Sequence, residues 1–150
     1  MRKALITGMS GTGKSAVLLE LAKRGHRVID TDTDEWSEWT GDKTDWIWRA
    51  DAMQDLLDQP GSLVVAGCKS NQVDFYDSFD HVVLLSAPAE VLLDRIAQRT
   101  SNPYGKKPEE REEILGYLKE VEPLLREGAT VQIDASQPLD AVVSDVERLL

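Results

Sequence analysis

The sequence predicts an α/β fold in which a doubly wound parallel sheet is covered by helices on both faces, and two observations carry this prediction. Short apolar runs alternate with helical patterns along the 150 residues. Most of these runs are nearly continuous, as strands are when both faces of a parallel sheet are covered. Such alternation implies right-handed crossovers, and ligands then gather at the carboxyl ends of the strands.

The individual elements follow from local signals. The predicted strands are residues 4–7, 27–30, 63–67, 81–86 and 130–134. The predicted helices are residues 14–24, 46–58, 88–99, 108–126 and 139–150. Gly25 ends the first helix, and Pro88 and Pro108 suit the first turns of theirs. Since no repeat or linker interrupts the pattern, we expect a single domain over residues 1–150.

Composition and charge exclude several classes of function. A formal net charge of −10 disfavours general affinity for nucleic acid or anionic membranes. No apolar run approaches the roughly 18 residues of a membrane span, and the N-terminus does not resemble a signal peptide. The single Cys68 suits a reducing compartment. We therefore expect a cytoplasmic protein, monomeric or homodimeric, without nucleic-acid or membrane partners.

Residues 8–15 read Gly-Met-Ser-Gly-Thr-Gly-Lys-Ser and match the phosphate-binding pattern G-x-x-x-x-G-K-[ST]. Gly8 and Gly13 let the backbone curl so that its N–H groups face phosphate oxygens. Lys14 can then reach the outer phosphates, and the Ser15 hydroxyl can ligate Mg²⁺. The helix that follows adds the positive end of its dipole. The predicted nucleotide-binding residues are Gly8, Ser10, Gly11, Thr12, Gly13, Lys14, Ser15 and Val17.

An acidic turn follows the second predicted strand, where residues 29–34 read Ile-Asp-Thr-Asp-Thr-Asp. Asp30 could hold Mg²⁺ through water, and Asp32 could accept a proton from a substrate hydroxyl. The alternative is an acidic loop that caps the next element. The ends of strands three and four carry no acid, unlike an inner strand of many motor-type ATPases. The guanine-reading signature Asn-Lys-x-Asp is also absent from the sequence.

A basic segment follows the predicted helix 88–99. Arg95 and Arg99 lie four residues apart near the end of that helix, and the polar stretch 100–108 contains Tyr104 and Lys106. We predict a lid over about residues 100–108, in which Arg99, Tyr104 and Lys106 take part. Arg95 and Arg99 are the predicted catalytic cations, which neutralise transferring phosphate. A solvated loop flanked by helix-end charges is the alternative.

The candidate acceptor-binding region spans about residues 31–58, and all four tryptophans of the chain lie between Asp34 and Asp51. These aromatic rings suit the walls around a flat base or ring, or they pack a helix onto the sheet. Arg49 suits an anionic group of the acceptor. The polar loop after strand three is either a ligand contact or an ordinary connection. The predicted acceptor-binding residues are Asp32, Asp34, Trp36, Arg49, Gly67 and Asn71.

Together these motifs resemble the small P-loop kinases of the nucleoside-monophosphate kinase and shikimate kinase group. Residues 8–15 match the nucleotide loop of that group. Residues 30–32 resemble the Asp-x-Asp turn of shikimate and gluconate kinases, whose first aspartate supports the metal and whose second contacts the acceptor hydroxyl. Residues 94–106 resemble the lid entry of adenylate-kinase relatives. Shikimate kinases carry a glycine triplet after strand three, whereas this chain has Gly67, Cys68 and Lys69.

The resemblance implies a three-layer P-loop NTPase fold with a five-stranded parallel sheet in the order 2-3-1-4-5 and a short lid. It also implies an ATP-dependent kinase that transfers the γ-phosphoryl group of Mg-ATP to a small-molecule acceptor. The acceptor is left open between a nucleoside monophosphate and a hydroxyl compound such as a shikimate-like or gluconate-like polyol. A nucleotide-binding ATPase switch or assembly factor without such an acceptor is the alternative function.

Overall fold

The computed structural model describes residues 2–9, 11–100 and 103–150. The strands are β1 (Lys3–Thr7), β2 (Val28–Asp30), β3 (Ser37–Trp39), β4 (Trp46–Trp48), β5 (Leu63–Ala66), β6 (His81–Ser86) and β7 (Val131–Asp134). The α-helices are α1 (Lys14–Lys23), α2 (Ala50–Asp58), α3 (Ala89–Gln98), α4 (Pro108–Glu120), α5 (Glu122–Gly128) and α6 (Leu139–Glu147). A 3₁₀ helix, Gln72–Ser78, lies between β5 and β6.

The main sheet is parallel and five-stranded, in the order β2-β5-β1-β6-β7. Counted along the chain within this sheet alone, that order is 2-3-1-4-5, so the predicted topology is confirmed. The strand labels differ from this count because β3 and β4 form a separate antiparallel pair. The sheet therefore brings the ends of β1, β2 and β5 to one edge of the molecule.

Helices cover both faces of the sheet, as the three-layer prediction requires. Side chains of α1 and α6 pack on one face against Ile6 and Val83. Residues of α2, the 3₁₀ helix, α3 and α5 pack on the other face, where Leu5 and Leu84 point. Successive residues of a strand face opposite sides, so the continuous apolar runs of β1 and β6 supply both cores. Within the described ranges no helix is long and apolar enough to cross a membrane.

The first part of the predicted helix 46–58 is wrong. Residues 46–48 form β4, which pairs antiparallel with β3 so that Trp39 faces Trp46 and Ser37 faces Trp48. The helix begins only at Ala50. Trp48 is fully buried and packs edge-on against Phe75 with ring centroids 5.7 Å apart. Strand geometry turns this ring into the core, so tertiary packing overrides the apolar helical pattern.

The predicted helix 108–126 is interrupted, and the reason lies in its sequence. Helix α4 ends at Glu120, and α5 begins at Glu122 with Pro123 in its first turn. Proline lacks an N–H group and its ring clashes with the preceding turn, so a continuous helix through this position is disfavoured. The last predicted helix also ends earlier than expected, at Glu147.

The carboxylate of Glu147 ties the end of α6 to the end of α1, and we expect its loss to destabilise the protein. It accepts hydrogen bonds from Arg24 and from the His26 ring, 2.9 Å away for the latter, and these contacts hold the pKa of Glu147 below its usual value. When folding lowers the pKa of a carboxyl group, the ionised group stabilises the folded protein at pH values above the pKa that it has in the unfolded chain. This stabilisation is lost as the pH falls through the pKa of the folded state. Glu147→Gln should therefore lower the thermal midpoint at pH 7, and the difference from the wild type should shrink in acid.

Thermal melts at pH 7 and pH 3 measure this effect, with Glu112→Gln as the control, since Glu112 is exposed on α4. A Glu147→Gln deficit that is as large at pH 3 as at pH 7 contradicts the assignment.

Candidate functional site

The loop between β1 and α1 lies so close to its neighbours that glycine is required at two positions. A Cβ atom on Gly8 would lie 2.5 Å from the carbonyl oxygen of Leu85. One on Gly11 would lie 2.9 Å from the carbonyl oxygen of Leu92, and the φ of Gly11 is +86°. These carbonyls belong to β6 and α3, so the rigid core sets the position of the loop. Ser10 lies outside the described residues.

Other predicted loop residues shape the turn. Gly13 has φ +91° and precedes α1, and the buried Thr12 donates a hydrogen bond from Oγ1 to the carbonyl of Met9 over 2.8 Å. Val17, one turn into α1, is buried in the core below the loop. The loop is thus followed directly by a helix N-terminus, the arrangement that binds phosphate groups elsewhere.

Lys14 is the first residue of α1, and its side chain folds back into the curve of the loop. Its Nζ donates hydrogen bonds to the carbonyl oxygens of Gly8 and Met9, at 2.6 and 3.2 Å. Burial lowers the pKa of the Lys14 ammonium, while the nearby Cys68, Asp32 and Asp30 oppose this shift. The same influences show that the ends of β1, β2 and β5 converge on this one cation.

Ser15 and Asp30 form the predicted metal-binding pair. The Ser15 hydroxyl donates to Oδ2 of Asp30 over 3.3 Å, and Oδ1 of Asp30 accepts the backbone N–H of Asp32 at 3.0 Å. A hydroxyl beside a carboxylate offers the hard oxygen ligands that Mg²⁺ prefers. In the part of the chain that the structure describes, no group of three or more His, Cys, Asp or Glu side chains could hold a metal. The metal-binding role of this pair stays a prediction.

Asp32 is held by a residue outside the predicted site set, Lys69. The Lys69 ammonium forms a 2.7 Å ion pair with Oδ1 of Asp32 and lies 4.0 Å from the centre of a Trp46 ring. The Lys69 side chain is only 9% exposed, whereas that of Asp32 is 53% exposed. The largely buried Lys69 side chain thus holds a carboxylate that is itself open to solvent. The sequence does contain a sign that could have identified Lys69. It is a lysine two residues after the third predicted strand, at the same sheet edge as Asp32.

The loop after β5 serves mainly to dock the β3–β4 hairpin. Ser70 Oγ donates to Oδ2 of Asp45 at 2.5 Å. The Asn71 amide pairs with the backbone of Trp48, accepting from its N–H and donating to its carbonyl, both at 3.0 Å. Both functional groups of Asn71 are therefore used within the protein. Its acceptor-binding role stays a prediction.

Gly67 is required by close packing. A Cβ at this position would collide with Oγ1 of Thr31 and lie 3.2 Å from Nε1 of Trp48. That indole nitrogen is the buried side-chain polar atom that lacks a hydrogen-bond partner within residues 2–9, 11–100 and 103–150. The glycine thus lets β5, β2 and the hairpin meet, and its acceptor-binding role also stays a prediction.

The remaining acceptor candidates lie around the hairpin. Arg49 Nε donates to the carbonyl of Asp34 at 2.8 Å, and its Nη1 forms a 2.9 Å ion pair with Glu38. Trp36 is half-buried against the core that contains α2. These contacts place Arg49 beside the hairpin rather than in contact with Asp32. The acceptor roles of Asp34, Trp36 and Arg49 stay predictions.

Arg95 lies against the phosphate loop. Its Nη1 reaches the carbonyl oxygen of Gly11 at 3.5 Å. It also borders a cleft of about 230 Å³ between the start of α1 and the β7–α6 connection, where Val17, Gln137 and Leu139 contribute further walls. A cation from α3 therefore lies next to both the phosphate loop and a small, mostly apolar cleft.

The described part of the predicted lid folds against α3 and α4. Arg99 Nη2 donates to the carbonyl of Tyr104 at 2.8 Å, and Lys106 Nζ donates to the carbonyl of Arg99 at 2.5 Å. The Tyr104 hydroxyl donates to Glu113 at 2.7 Å. Gly105 is buried, and a Cβ there would lie 2.5 Å from Cγ2 of Ile96. Residues 101 and 102 lie outside the described residues, and the lid role stays a prediction.

Comparison with known proteins identifies the family of this chain and a curated relative that matches part of it. The sequence matches the AAA domain family AAA_18 over residues 5–116, and the chain belongs to that family. A curated relative, the HPr kinase/phosphorylase of Xanthomonas campestris pv. campestris (strain B100), is 42% identical over 57 residues. That match covers 38% of this chain and only 18% of the relative.

The chain has the fold of the P-loop small-molecule kinases. A shikimate kinase from Acinetobacter baumannii superposes with a TM-score of 0.73 at 20% identity, covering 99% of this chain and 92% of that one. A gluconokinase from Sinorhizobium meliloti 1021 gives 0.68 at 21% identity, covering 99% and 90%. A deoxyadenosine kinase from M. mycoides gives 0.64 at 14% identity, covering 99% and 98%.

Gly11→Ala should destabilise the protein more than another glycine substitution at similar φ. An added Cβ would strain the backbone at φ +86° and press on the Leu92 carbonyl, so we expect a loss of about 3 kcal/mol. Gly25 has φ +92° but no atom within 4 Å of its Cβ position, so Gly25→Ala should cost about 1 kcal/mol. Urea unfolding of both variants measures the difference, and equal losses would refute the close-packing explanation.

Proposed function

We propose that this protein is a kinase that transfers the γ-phosphoryl group of ATP to the hydroxyl group of a small molecule. One observation carries the proposal: Lys14, the Ser15–Asp30 pair and the Asp32–Lys69 pair converge at the same sheet edge. Lys14 is suited to nucleotide phosphates, and the Ser15–Asp30 pair is suited to their metal ion. The Asp32–Lys69 pair is suited to an acceptor hydroxyl. A simple nucleotide-binding module has no need of the Asp32–Lys69 pair.

The phosphate loop forms the donor half of the proposed site. The loop amides and the Lys14 ammonium would hold the β- and γ-phosphates, because glycine backbone and a half-buried cation face the same concave surface. The cleft bordered by Val17, Arg95 and Leu139 lies beside the loop and suits the flat, apolar faces of a base. ATP is the proposed donor, and GTP is the competitor to test.

The residues present fit the Mg²⁺ ion that such kinases use. Ser15 and Asp30 would hold it, since their oxygens already lie 3.3 Å apart at the mouth of the loop. The bound ion would neutralise charge on the transferring phosphoryl group. Arg95, and Arg99 at the entry of the proposed lid, would add further positive charge from α3 and its C-terminus.

Asp32 would orient the acceptor hydroxyl and accept its proton. Oδ1 is engaged by Lys69, and within the described residues Oδ2 has no hydrogen-bond partner, so one carboxylate oxygen is available to a substrate. The acceptor oxygen bonds to the γ-phosphorus as the bond to the β–γ bridging oxygen breaks. ADP leaves with that electron pair, a phosphate monoester forms, and the hydroxyl proton passes to Asp32. The free Cys68 thiol beside this site suits the reducing cytoplasm as the proposed setting.

A coupled assay of ADP release tests the proposal, with nucleoside monophosphates, nucleosides, polyols and simple alcohols as acceptors. A hydroxyl compound should raise the rate and appear as a phosphate monoester by phosphorus NMR. Tight ATP binding without stimulation by any acceptor would overturn the kinase proposal and favour a nucleotide-dependent switch or assembly factor.

The role of Asp32 can be tested separately. Asp32→Asn should reduce kcat with a hydroxyl acceptor by about 10²–10⁴-fold, since it removes the proton acceptor, and should leave the Kd of ATP unchanged. Asp55→Asn, on the exposed face of α2, is the control and should behave as the wild type. Near-wild-type turnover of the hydroxyl acceptor by Asp32→Asn would rule out Asp32 as the proton acceptor.

Lys69 acts through Asp32 and is therefore predicted to be a positioning residue. Lys69→Met should lower kcat by about tenfold to a hundredfold with little change in the KM for ATP, because Asp32 loses its partner while the hydrogen bonds of Lys14 within the phosphate loop remain. Lys69→Arg should restore part of the activity, because it returns a cation. Lys119→Met, at an exposed position of α4, is the control. Equal loss of activity in the Met and Arg variants would contradict the positioning role.

A further inference from the structure

A groove that the proposed function has not used opens beside Lys69. It measures about 590 Å³ and runs between the 3₁₀ helix Gln72–Ser78 and α5. This volume falls in the range of sites for small molecules. Cys68, Lys69, Val73, Tyr76, Leu124 and Leu125 contribute walls. Val73 and Leu124 are 59% and 66% exposed, so a large apolar surface faces solvent here.

Most side-chain polar groups of the groove already have partners within the protein. The buried Gln72 amide donates to Thr7 Oγ1 and to the Tyr76 hydroxyl, both at 3.0 Å, and accepts the Lys69 N–H at 2.9 Å. Ser70 Oγ is bonded to Asp45. The Tyr76 ring lies against Gly128, where an added Cβ would be 2.6 Å from Cε2. A ligand in the groove would therefore contact mainly the Tyr76 ring and aliphatic side chains.

The groove borders the reactive end of the site. Lys69 lines it and at the same time forms the ion pair with Asp32, and the preceding residue, Cys68, also lines it. A molecule in the groove would therefore have one end near the Lys69–Asp32 pair. Glu127 is exposed and borders the groove, so an anionic ligand body would be repelled there.

We infer that the acceptor is an uncharged alcohol with an apolar ring or chain, whose body occupies this groove and whose hydroxyl meets Asp32. This inference rests on the proposed function and narrows its substrate class. Sugar acids and nucleoside monophosphates fit less well, since their polar groups would lose water and find few partners on the groove walls, and Glu127 would repel their charge. The transfer step is unchanged: the alcohol oxygen gains the γ-phosphoryl group, ADP departs, and Asp32 receives the proton.

Two measurements on the full chain with Mg-ADP test the inference, with benzyl alcohol and cyclohexylmethanol as probes and gluconate and a nucleoside monophosphate as comparisons. In amide NMR spectra the two alcohols should shift resonances of Val73, Tyr76, Leu124 and Gly128, whereas the comparison compounds should not. With ATP in place of ADP, the alcohols should raise ADP release more than the comparison compounds.

A matched pair of variants isolates the groove. Leu124→Glu should weaken binding of the alcohols by about tenfold or more, because it places a charge on the apolar wall. Leu19→Glu is the control, since Leu19 is 61% exposed on α1, outside the groove, and should bind as the wild type. Both substitutions replace exposed leucines, so neither variant is expected to unfold. A difference between them in alcohol binding can therefore be assigned to the groove.

The outcomes of the two measurements are distinguishable. Turnover of gluconate or of a nucleoside monophosphate, with no shift in the groove, would overturn the inference and leave the kinase proposal intact. Groove binding of the alcohols without ADP release from any acceptor would overturn both. Dimerisation of the wild type that Leu124→Glu abolishes and Leu19→Glu preserves would assign the groove to a second copy of the chain, and would also overturn the inference.

Discussion

The close approach of the phosphate loop to β6 and α3 is the constraint on which the rest of the site depends. Gly8 and Gly11 lie against the carbonyls of Leu85 and Leu92, so a side chain at either position would push the loop away from the core. Because those carbonyls belong to a central strand and a packed helix, the loop inherits the rigidity of the core. Lys14 folds into the curve of this loop, where its ammonium bonds to the carbonyls of Gly8 and Met9.

The parts of the fold that could be predicted are those specified by local sequence. The phosphate loop was recognisable because its chemistry needs glycines, a lysine and a hydroxyl at set spacings between a strand and a helix. Most of the five strands were recognisable because they are nearly continuous apolar runs, and the central strands β1, β5 and β6 are buried along almost their whole length. Their order then followed from a resemblance built on the same motifs. The break between α4 and α5 was missed although Pro123 marks it, because the charged helical pattern continues on both sides of it.

The acceptor side was less predictable because it is built from long-range contacts. The sequence Trp46-Ile47-Trp48 is compatible with a strand or a helix, and the strand is stabilised by Asn71, 23 residues from Trp48. Lys69 gave no sign of burial in the sequence, because the ring and the carboxylate that enclose it come from two other segments. A buried ammonium is costly without such partners, so its environment is defined only by the assembled fold. The same holds for the groove, whose walls are more than forty residues apart in sequence.

Charge gives an independent reason for a neutral acceptor. The chain carries a net charge of −10, and its field opposes the approach of any anion. At the proposed ATP site, the loop amides, Lys14 and Arg95 would offset this field. On the acceptor side Lys69 is already paired with Asp32, and Glu127 borders the groove. An anionic acceptor would be repelled by Glu127, whereas an uncharged alcohol would gain from apolar burial and lose nothing to the field.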